Sequence, residues 1–371
     1  MGNSQFDAEE HYLKEDRKAG RRDRKLASAK DRSKYKKTDS DKLKAQQSIK
    51  SLETGLLRGR IISIASEGIL VDSEAKQYYC VLRGTLKKEK TEHKNLVIVG
   101  DFVHFERIND KEGAITYVEP RHSILSRADN LSQRKKQLIA ANIDSVLITT
   151  CVVNPPLKPS LLDRYIIAAD KGGMEAVIVI NKIDLLANAD FSESLRENEK
   201  EVLEELFKAY EQAGVPAIAV SSTTGEGIEQ LIAAMKDKAS VFSGQSGVGK
   251  SSLINALTGS RLKTGGVVQR TQKGSHTTST ANLIPLPFGG WCIDTPGIKS
   301  FGVWDLQKDE LLSYFPEIMK LGQQCKFPNC THIHEPGCCI PQAVEEGVIS
   351  PFRYLSYCSL HDELREDHLR R

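Results

Sequence analysis

Residues 244–251 read Gly244-Gln-Ser-Gly-Val-Gly-Lys-Ser251 and match the phosphate-loop pattern G-x-x-x-x-G-K-[ST] at every fixed position. A short apolar run precedes the loop at 239–242, and 251–257 has the composition of a helix. In such a strand–loop–helix unit, glycines let backbone N–H groups surround phosphates, and the helix N-terminus adds a partial positive charge. The pattern predicts a nucleoside triphosphate site. Its residues are Gly244, Gln245, Ser246, Gly247, Val248, Gly249, Lys250, Ser251 and Ser252.

Two of these side chains have predicted chemical roles. We expect Lys250 to reach the outer phosphates and the Ser251 hydroxyl to ligate Mg²⁺.

Apolar segments alternate with helical patterns before this loop. The predicted strands cover 145–150, 176–180 and 216–220, and the predicted helices cover 161–171, 193–214 and 228–236. Continuous apolar strands separated by helices are typical of a parallel sheet covered on both faces. The sequence therefore predicts a doubly wound α/β domain that contains the phosphate loop.

The segment Asn181-Lys-Ile-Asp184 directly follows the second of these strands. A carboxylate there lies at the edge of the sheet where nucleotides bind. Asp184 can accept hydrogen bonds from guanine N1–H and the 2-amino group, which adenine lacks, so GTP is favoured over ATP. We expect Asn181 to face the other edge of the base and Lys182 to lie along base and ribose. The predicted guanine site is Asn181, Lys182, Ile183, Asp184, Ser221 and Ser222, the serines through backbone contacts.

Two segments after the phosphate loop have the features of nucleotide switches. In the segment 274–278, Thr277 or Thr278 is expected to complete the Mg²⁺ shell; the sequence leaves both open. In the segment Asp294-Thr-Pro-Gly297, Asp294 would hold Mg²⁺ through water, and the Gly297 amide would meet the γ-phosphate.

The residue after Gly297 is Ile298, where enzymes related to Ras place a glutamine that orients the attacking water. Isoleucine has no polar group for this task, so slow intrinsic hydrolysis is predicted. His276 is the candidate for positioning the water, with a purely structural histidine as the alternative. The predicted catalytic residues are His276, Thr277, Thr278 and Lys250.

The guanine motif comes first along this chain and the Asp-x-x-Gly segment last, the reverse of common GTPases. A sheet domain tolerates such a permutation because its chain ends often lie close together. The second switch then leads directly into the next domain. We hypothesise that nucleotide state acts on that domain through this connection.

Four cysteines lie between Cys325 and Cys339, out of eight in the chain. The spacing Cys325-x4-Cys330-x-His332-x5-Cys338 supplies four soft ligands, which suit a structural tetrahedral Zn²⁺. His334 and Cys339 are spare candidates, and reduced thiols or a redox pair are the alternatives. The region 306–371 is therefore predicted to be a helical zinc-binding domain, with helices over 308–321 and 351–369.

The N-terminal third divides into two parts. Residues 1–50 hold 15 Lys/Arg and 9 Asp/Glu, leaving 37 basic and 40 acidic residues elsewhere, and contain few large apolar side chains. This basic extension is predicted to be disordered, either as a solubilising tail or as an arm that orders on RNA. Five short strand patterns then predict an OB-type β-barrel over 51–123, with or without an RNA-binding face. Its candidate RNA contacts are Arg58, Arg60, Tyr78, Arg83, Lys87 and Lys88.

The segment 120–127 is predicted to be a linker, and the α/β domain is assigned to 124–305. The whole chain of 371 residues has 39% hydrophobic and 27% charged residues, with neither a membrane-spanning run nor a signal-peptide pattern. A cytoplasmic monomer is expected.

The permuted motif order, an OB-like barrel before it and the cysteine cluster after it resemble the RsgA family, also called YjeQ, over about residues 55–365. The resemblance implies a GTPase stimulated by the small ribosomal subunit, acting late in its maturation and released after hydrolysis. The barrel and zinc domain would bind 16S rRNA. The family's switch loop usually has arginine where this chain has Ser275, which removes any role for an arginine there.

Three other classes of protein share some of these motifs. These are a signalling or tRNA-modifying GTPase, an RNA-binding module with a degenerate GTPase domain, and a permuted GTPase of the large subunit.

Overall fold

The computed structural model describes residues 55–66, 68–84, 86, 96–129, 132–187, 193–259, 281–294, 306–327 and 329–369. The described residues from Leu57 onward belong to one compact unit. The extension 1–50 lies outside the described residues. So do five residues of the predicted switches, His276, Thr277, Thr278, Gly297 and Ile298, and the barrel lysines Lys87 and Lys88.

The first five strands form a closed barrel in the order β1-β2-β3-β5-β4. Alternate residues of these strands fill a core that includes Ile61, Val71, Phe105 and Ile115, all without exposed surface. The predicted OB-type barrel is confirmed. Its strands are β1 Leu57–Ala65, β2 Gly68–Ser73, β3 Lys76–Leu82, β4 Phe102–Arg107 and β5 Glu112–Val118.

A two-stranded antiparallel sheet follows the barrel, where the sequence predicted a linker. It consists of β6 Ile124–Asp129 and β7 Ser132–Ala141. Gly100 fits closely against this sheet, because a Cβ added there would lie 2.0 Å from the Ala141 carbonyl oxygen. The linker prediction was wrong because β6, with the sequence ILSRAD, mixes apolar with polar and charged residues, which hides its strand character.

The main sheet has six strands in the order β10-β9-β8-β11-β13-β12. Five run parallel, and β12 pairs antiparallel with β13 at one edge. The doubly wound α/β domain is confirmed, with this antiparallel edge as a difference from the predicted parallel sheet. The strands are β8 Ser145–Thr150, β9 Glu175–Ile180, β10 Ala217–Ala219, β11 Ala239–Gly244, β12 Asn282–Pro285 and β13 Trp291–Asp294.

Neighbouring residues of each central strand face opposite helical layers. Ile178 packs in the cluster with the helices at 159–171 and 193–212. Val179 packs with the helices at 228–235 and 250–258. Both faces are therefore buried, as the continuous apolar strands require. The helices are α1 Pro159–Lys171, α2 Glu193–Gln212, α3 Ile228–Met235 and α4 Lys250–Thr258.

The C-terminal helices surround their own hydrophobic cluster, which includes Phe315, Ile340 and Tyr357. They are α5 Pro316–Gly322, α6 Cys339–Glu345 and α7 Pro351–Leu369, and a 3-10 turn at Leu311–Tyr314 precedes α5. Ile167 of α1 belongs to the same cluster. The first helix of the α/β domain is thus shared with the C-terminal domain.

Arg353 of α7 is the polar centre of this interface, with 2% of its side chain exposed. It forms an ion pair with Asp163 of α1, donates from Nε to Glu317 of α5 at 2.7 Å, and lies over the Phe315 ring at 4.3 Å. Its second amino group donates to the Tyr314 carbonyl oxygen at 2.9 Å. One guanidinium therefore joins α1, α5 and α7 in a region that is closed to water.

Of the helices in the described ranges, none combines the length and apolar character needed to cross a membrane. The boundaries 51–123, 124–305 and 306–371 stay predictions.

Candidate nucleotide site and metal centre

Residues 244–249 leave β11 and enter α4 through a loop with three glycines of positive φ. Gly244 has φ 138°, and a Cβ added there would lie 2.0 Å from the Thr149 carbonyl oxygen. At Gly249, φ is 93° and the added Cβ would lie 2.3 Å from Nδ2 of Asn181. Side chains are therefore excluded on two sides of the loop, and the backbone can approach a ligand closely.

Lys250, the first residue of α4, folds back over this loop. Its Nζ donates hydrogen bonds to the carbonyl oxygens of Gly244 at 2.8 Å and Gln245 at 2.6 Å. Burial lowers the pKa of this ammonium group. The sequence predicted that Lys250 reaches phosphates. In this structure its ammonium group is bound instead by two carbonyl oxygens of the phosphate loop.

Asn181 joins the guanine motif to the phosphate loop. The side chain is 1% exposed, and its Nδ2 donates to the Val248 carbonyl oxygen at 2.9 Å. Its Oδ1 accepts from the Ser222 backbone N–H at 3.2 Å. The amide therefore ties three loops together at the carboxyl ends of β9, β10 and β11. An amide has two N–H donors and two oxygen lone pairs, so these two bonds are compatible with the expectation that Asn181 faces the base, which stays a prediction.

Asp184 and Ser221 form the second polar connection in this region. The Ser221 hydroxyl donates to Asp184 Oδ1 at 2.6 Å. The same hydroxyl oxygen accepts from the N–H groups of Thr223 at 3.2 Å and Thr224 at 3.1 Å. These two amides use the lone pairs of the Ser221 hydroxyl oxygen, so the hydroxyl proton points at the Asp184 carboxylate. This hydrogen bond fixes the orientation of the carboxylate.

The sequence missed one wall of this site, the loop at 151–158 after β8. Lys182 Nζ donates to the Asn154 carbonyl oxygen at 2.7 Å, and the Asn181 N–H donates to the Thr150 carbonyl oxygen at 2.8 Å. A Cβ at Gly247 would lie 3.8 Å from Pro155 Cδ. The available signal was Asn154-Pro-Pro shortly after the end of a buried strand, at the edge where ligands bind such sheets.

The two predicted magnesium ligands lie on adjacent elements. Ser251 is exposed in the first turn of α4, and Asp294 is the last residue of β13, which pairs with β11. A hydroxyl and a carboxylate are hard oxygen donors of the kind that Mg²⁺ prefers. The residues present are therefore chemically suited to this ion.

The predicted metal centre brings four side chains together, Cys325, Cys330, His332 and Cys338, with ligand atoms within 4.8 Å of one another. Cys325 Sγ lies 3.5 Å from His332 Nδ1 and 3.7 Å from Cys338 Sγ. Ligands at about 2.1–2.3 Å from a tetrahedral metal are about 3.4–3.8 Å apart, so this spacing fits such an ion.

The two spare candidates differ in position. Cys339 Sγ lies 3.3 Å from Cys325 Sγ but contacts the Leu321 carbonyl oxygen at 3.5 Å, and it is the first residue of α6. His334 is exposed and is not part of the four-residue group. The four side chains that the fold brings together are therefore the four predicted ligands, and neither spare candidate is among them.

Glu335 holds the loop that carries His332. Its Oε1 accepts from the Thr331 N–H at 2.7 Å and from the Thr331 hydroxyl at 2.6 Å, and its Oε2 accepts from the Ile333 N–H at 3.3 Å. Burial opposes ionisation of Glu335, but these hydrogen bonds outweigh it and lower its pKa to about 2. The carboxylate therefore stays charged and fixes the loop at physiological pH.

We expect Glu335→Ala to weaken metal binding by about 10-fold, the lower end for residues that orient ligands from behind. The reason is that His332, with φ 64°, would lose the carboxylate that holds its loop in this uncommon conformation. The measurement is a competition titration of the zinc-loaded protein with a chromophoric chelator. Glu345→Ala, which removes an exposed carboxylate from α6, is the control and should change nothing. Equal zinc affinity for the two variants would contradict this role.

The predicted RNA contacts on the barrel separate into two groups. Tyr78 is 5% exposed within the barrel core, and Arg60 is 9% exposed and donates to the Asn142 carbonyl oxygen, so both predictions were wrong. Burial lowers the pKa of Arg60 to about 10. Arg58 and Arg83 are exposed, although each pairs with a glutamate, Glu119 or Glu106. Strand alternation explains the error at Tyr78, because neighbouring residues face opposite sides, whereas Arg60 is buried by a contact with a segment distant in sequence that no local pattern reveals.

Comparison with known proteins gives concordant matches. The family model for the RsgA GTPase matches residues 118–304, and the model for the RsgA N-terminal domain matches 58–115. The small ribosomal subunit biogenesis GTPase RsgA of Caldanaerobacter subterraneus subsp. tengcongensis is 35% identical over 316 residues, which cover 85% of this chain and 98% of that protein. A second relative of the same description, from Chlorobaculum parvum, is 40% identical over 286 residues, 75% of this chain and 88% of that one.

Two solved structures are similar over nearly their whole length. The crystal structure of YjeQ from Thermotoga maritima is 32% identical with a TM-score of 0.64, covering 83% of this chain and 98% of that chain. The crystal structure of YloQ, a circularly permuted GTPase, is 29% identical with a TM-score of 0.64, covering 85% of this chain and 96% of that chain.

Proposed function

Because the chain belongs to the RsgA GTPase family, and is therefore a GTP hydrolase, we propose that it acts in biogenesis of the small ribosomal subunit. It binds the subunit and its 16S rRNA, and it couples GTP hydrolysis to a late maturation step and to its own release. The proposal includes a cytoplasmic location and a monomeric state.

The observation that supports GTP binding most strongly is the double hydrogen bond of Asn181. One buried amide holds the phosphate loop and the base-recognition loops at fixed distances before any ligand arrives. A site whose parts are already in position loses less conformational entropy on binding. GTP binds here, with Asp184 reading the guanine edge and Lys182 lying along the base and ribose.

The remaining site residues have roles in this proposal. The loop 244–252 binds the phosphates, and Ser251 and Asp294 bind Mg²⁺ directly and through water. When bound, Mg²⁺ neutralises charge that develops on the phosphates. Thr277 or Thr278 completes the ion's shell, the Gly297 amide meets the γ-phosphate, and His276 positions the attacking water. Lys250 leaves the carbonyl oxygens of its own loop to contact the outer phosphates.

Zinc is the metal proposed for the C-terminal group of Cys325, Cys330, His332 and Cys338. Three thiolates and one imidazole are the donors that zinc prefers, and four of them leave no open position for catalysis. Burial raises the pKa of Cys338 to about 12. Since the thiolate is the ligand, metal binding must release this proton, and the bound ion supports folding of the domain.

Exposed apolar side chains on the barrel support RNA binding. Tyr79 is 56% exposed and Val81 is 58% exposed, and they lie on the same face of β3, with Arg83 next on that side. An exposed aromatic ring on a surface that also carries a cation can stack with an unpaired base. This stripe replaces Tyr78 and Arg60 as the proposed contact surface of the barrel.

The proposed function predicts strong, salt-sensitive stimulation of GTP hydrolysis by purified small ribosomal subunits. Intrinsic hydrolysis should be slow because Ile298 has no group that orients water. The measurement is phosphate release with and without small subunits across a salt series, since contacts with RNA phosphates weaken as salt rises. Large subunits are the control. Intact GTP binding without stimulation would exclude the small subunit as activator and leave a permuted GTPase with another partner.

A further inference from the structure

Strand β1 of the barrel contains a β-bulge, and the side chain of the bulged residue lies outside the barrel core. In the β1–β2 pairing, Ile61 is opposite Val71 and Ser63 is opposite Leu70, so Ile62 is an extra residue without a partner in the ladder. Such a bulge redirects a side chain. Ile61 lies in the barrel core, whereas the side chain of Ile62, 5% exposed, lies in the hydrophobic cluster of the main sheet.

The bulge faces the β12–β13 hairpin of the main sheet. Strand β1 packs against β12, and the cluster that contains Ile62 also contains Leu283 of β12 and Ile293 of β13. Leu283 and Ile293 are opposite each other in the hairpin. The barrel and the hairpin therefore share one close-packed hydrophobic region, in which a shift of one member displaces its neighbours.

A hydrogen bond accompanies this packing. The Ser63 hydroxyl donates to Asn282 Oδ1 at 2.7 Å in a partly buried position. Asn282 is directly opposite Asp294 in the β12–β13 pairing. The barrel is therefore connected to Asp294, the residue that is proposed to bind the magnesium ion of GTP. The connection runs through the Ser63–Asn282 hydrogen bond and the pairing of Asn282 with Asp294.

We propose that the bulge Ile62–Ser63 couples the barrel to the nucleotide state, with Ser63 as a positioning residue for the end of β13. Loss of the γ-phosphate changes the position of the β13 end, and Asn282 and Leu283 transmit that change to β1. By reciprocity, a partner bound to the barrel changes the relative affinity for GTP and GDP. The inference rests on the proposed function, because it requires Asp294 to face a bound nucleotide.

The alternative is a static interface that only holds two domains together. A static contact affects stability equally with GDP and with GTP. A coupling contact produces a difference between the two nucleotide complexes, and removal of the contact removes that difference. The ratio of the amide exchange rates of the barrel in the two nucleotide complexes therefore distinguishes a coupling contact from a static one.

The test is hydrogen–deuterium exchange of the full chain, saturated with Mg²⁺ and either GDP or a non-hydrolysable GTP analogue. In the wild type, amides of β1 and β2 should exchange at rates that differ by about five-fold or more between the complexes, the lower end of typical allosteric coupling. Ser63→Ala should lower this ratio clearly, because it removes the hydrogen bond to Asn282 and leaves only the packing of Ile62. Ser73→Ala is the matched control, since its hydroxyl donates to the Arg58 carbonyl oxygen at 2.8 Å within the barrel. This control should keep the wild-type ratio.

Two results would overturn the proposal: equal exchange of β1 and β2 in both wild-type complexes, or an unchanged ratio in Ser63→Ala. A titration with a fluorescent GTP analogue distinguishes this failure from failure of the proposed function. Nucleotide binding without a barrel response removes only the coupling. Absence of nucleotide binding removes the proposed function and the coupling with it.

Discussion

Asp184→Asn is expected to lower GTP affinity by about 10⁴-fold, the scale reached when a site built for a hydrogen bond loses it, and to create affinity for xanthosine triphosphate. The Ser221 hydroxyl donates to Asp184 Oδ1, so the asparagine oxygen will occupy that side and its NH₂ the other. An NH₂ group opposes the 2-amino group of guanine but donates to the 2-oxygen of xanthine. Titration with fluorescent derivatives of both nucleotides measures the change.

Asp309→Asn is the matched control, because it makes the same change at an exposed residue outside the site. It should leave both affinities unchanged. A second variant tests the reasoning about orientation: adding Ser221→Ala to Asp184→Asn should reduce the preference for xanthosine triphosphate, since the amide is then free to rotate. If Asp184→Asn kept its preference for GTP, the assignment of Asp184 to the base would be wrong.

Arg353→Met is expected to lower the free energy of unfolding by about 3–5 kcal/mol, the usual cost of removing one member of a buried ion pair. The methionine would fill part of the space but leave Asp163 and Glu317, which are 1% and 10% exposed, without their counter-charge. Urea unfolding is the suitable measurement, because urea does not screen charges as guanidinium does.

Arg164→Met provides the comparison, because Arg164 of α1 forms an ion pair with Glu363 of α7 across the same helix pair but at its exposed edge. An exposed pair is worth about 0–1 kcal/mol, so this variant should be nearly as stable as the wild type. The triple change Arg353→Met, Asp163→Leu and Glu317→Met should recover most of the loss, since no buried charge is left unpaired. Equal stability of Arg353→Met and Arg164→Met would refute the argument.

Much of the architecture follows from local sequence patterns. Helix α7 was predicted over 351–369 and has those bounds, because Pro351 is favourable at the start of a helix. The five predicted strands of the barrel are all present, since Gly, Asp and Asn separate the apolar runs along the chain. The family resemblance drawn from motif order is confirmed by both family models.

The predictions of secondary structure and strand direction failed where one local sequence pattern is compatible with two different structures. A single helix over 308–321 was predicted, but the chain forms a 3-10 turn and then α5, because the residue before Pro316 is disfavoured in a helix. Strand β12 runs antiparallel because the turn at 286–290, with positive φ at Gly289 and Gly290, returns the chain directly alongside. Neither outcome is visible in hydrophobic periodicity.

The site shows the same limit. Motifs predicted which residues meet a nucleotide, but the partners of Asn181 and Lys182 come from the phosphate loop and from the loop after β8, which no motif indicated. Such partners depend on how strands are ordered in the sheet. Periodicity predicts that the strands exist and leaves their order open.

Helix α1 limits how this chain can be recombined in evolution. Its Asp163 and Ile167 belong to the C-terminal interface, while Leu162 and Tyr165 belong to the sheet. The C-terminal segment is therefore not an interchangeable module. A GTPase that acquired residues 306–371 by gene fusion would leave the buried Arg353 without its Asp163 partner unless its own first helix already carried the matching acid. The two parts must be inherited together.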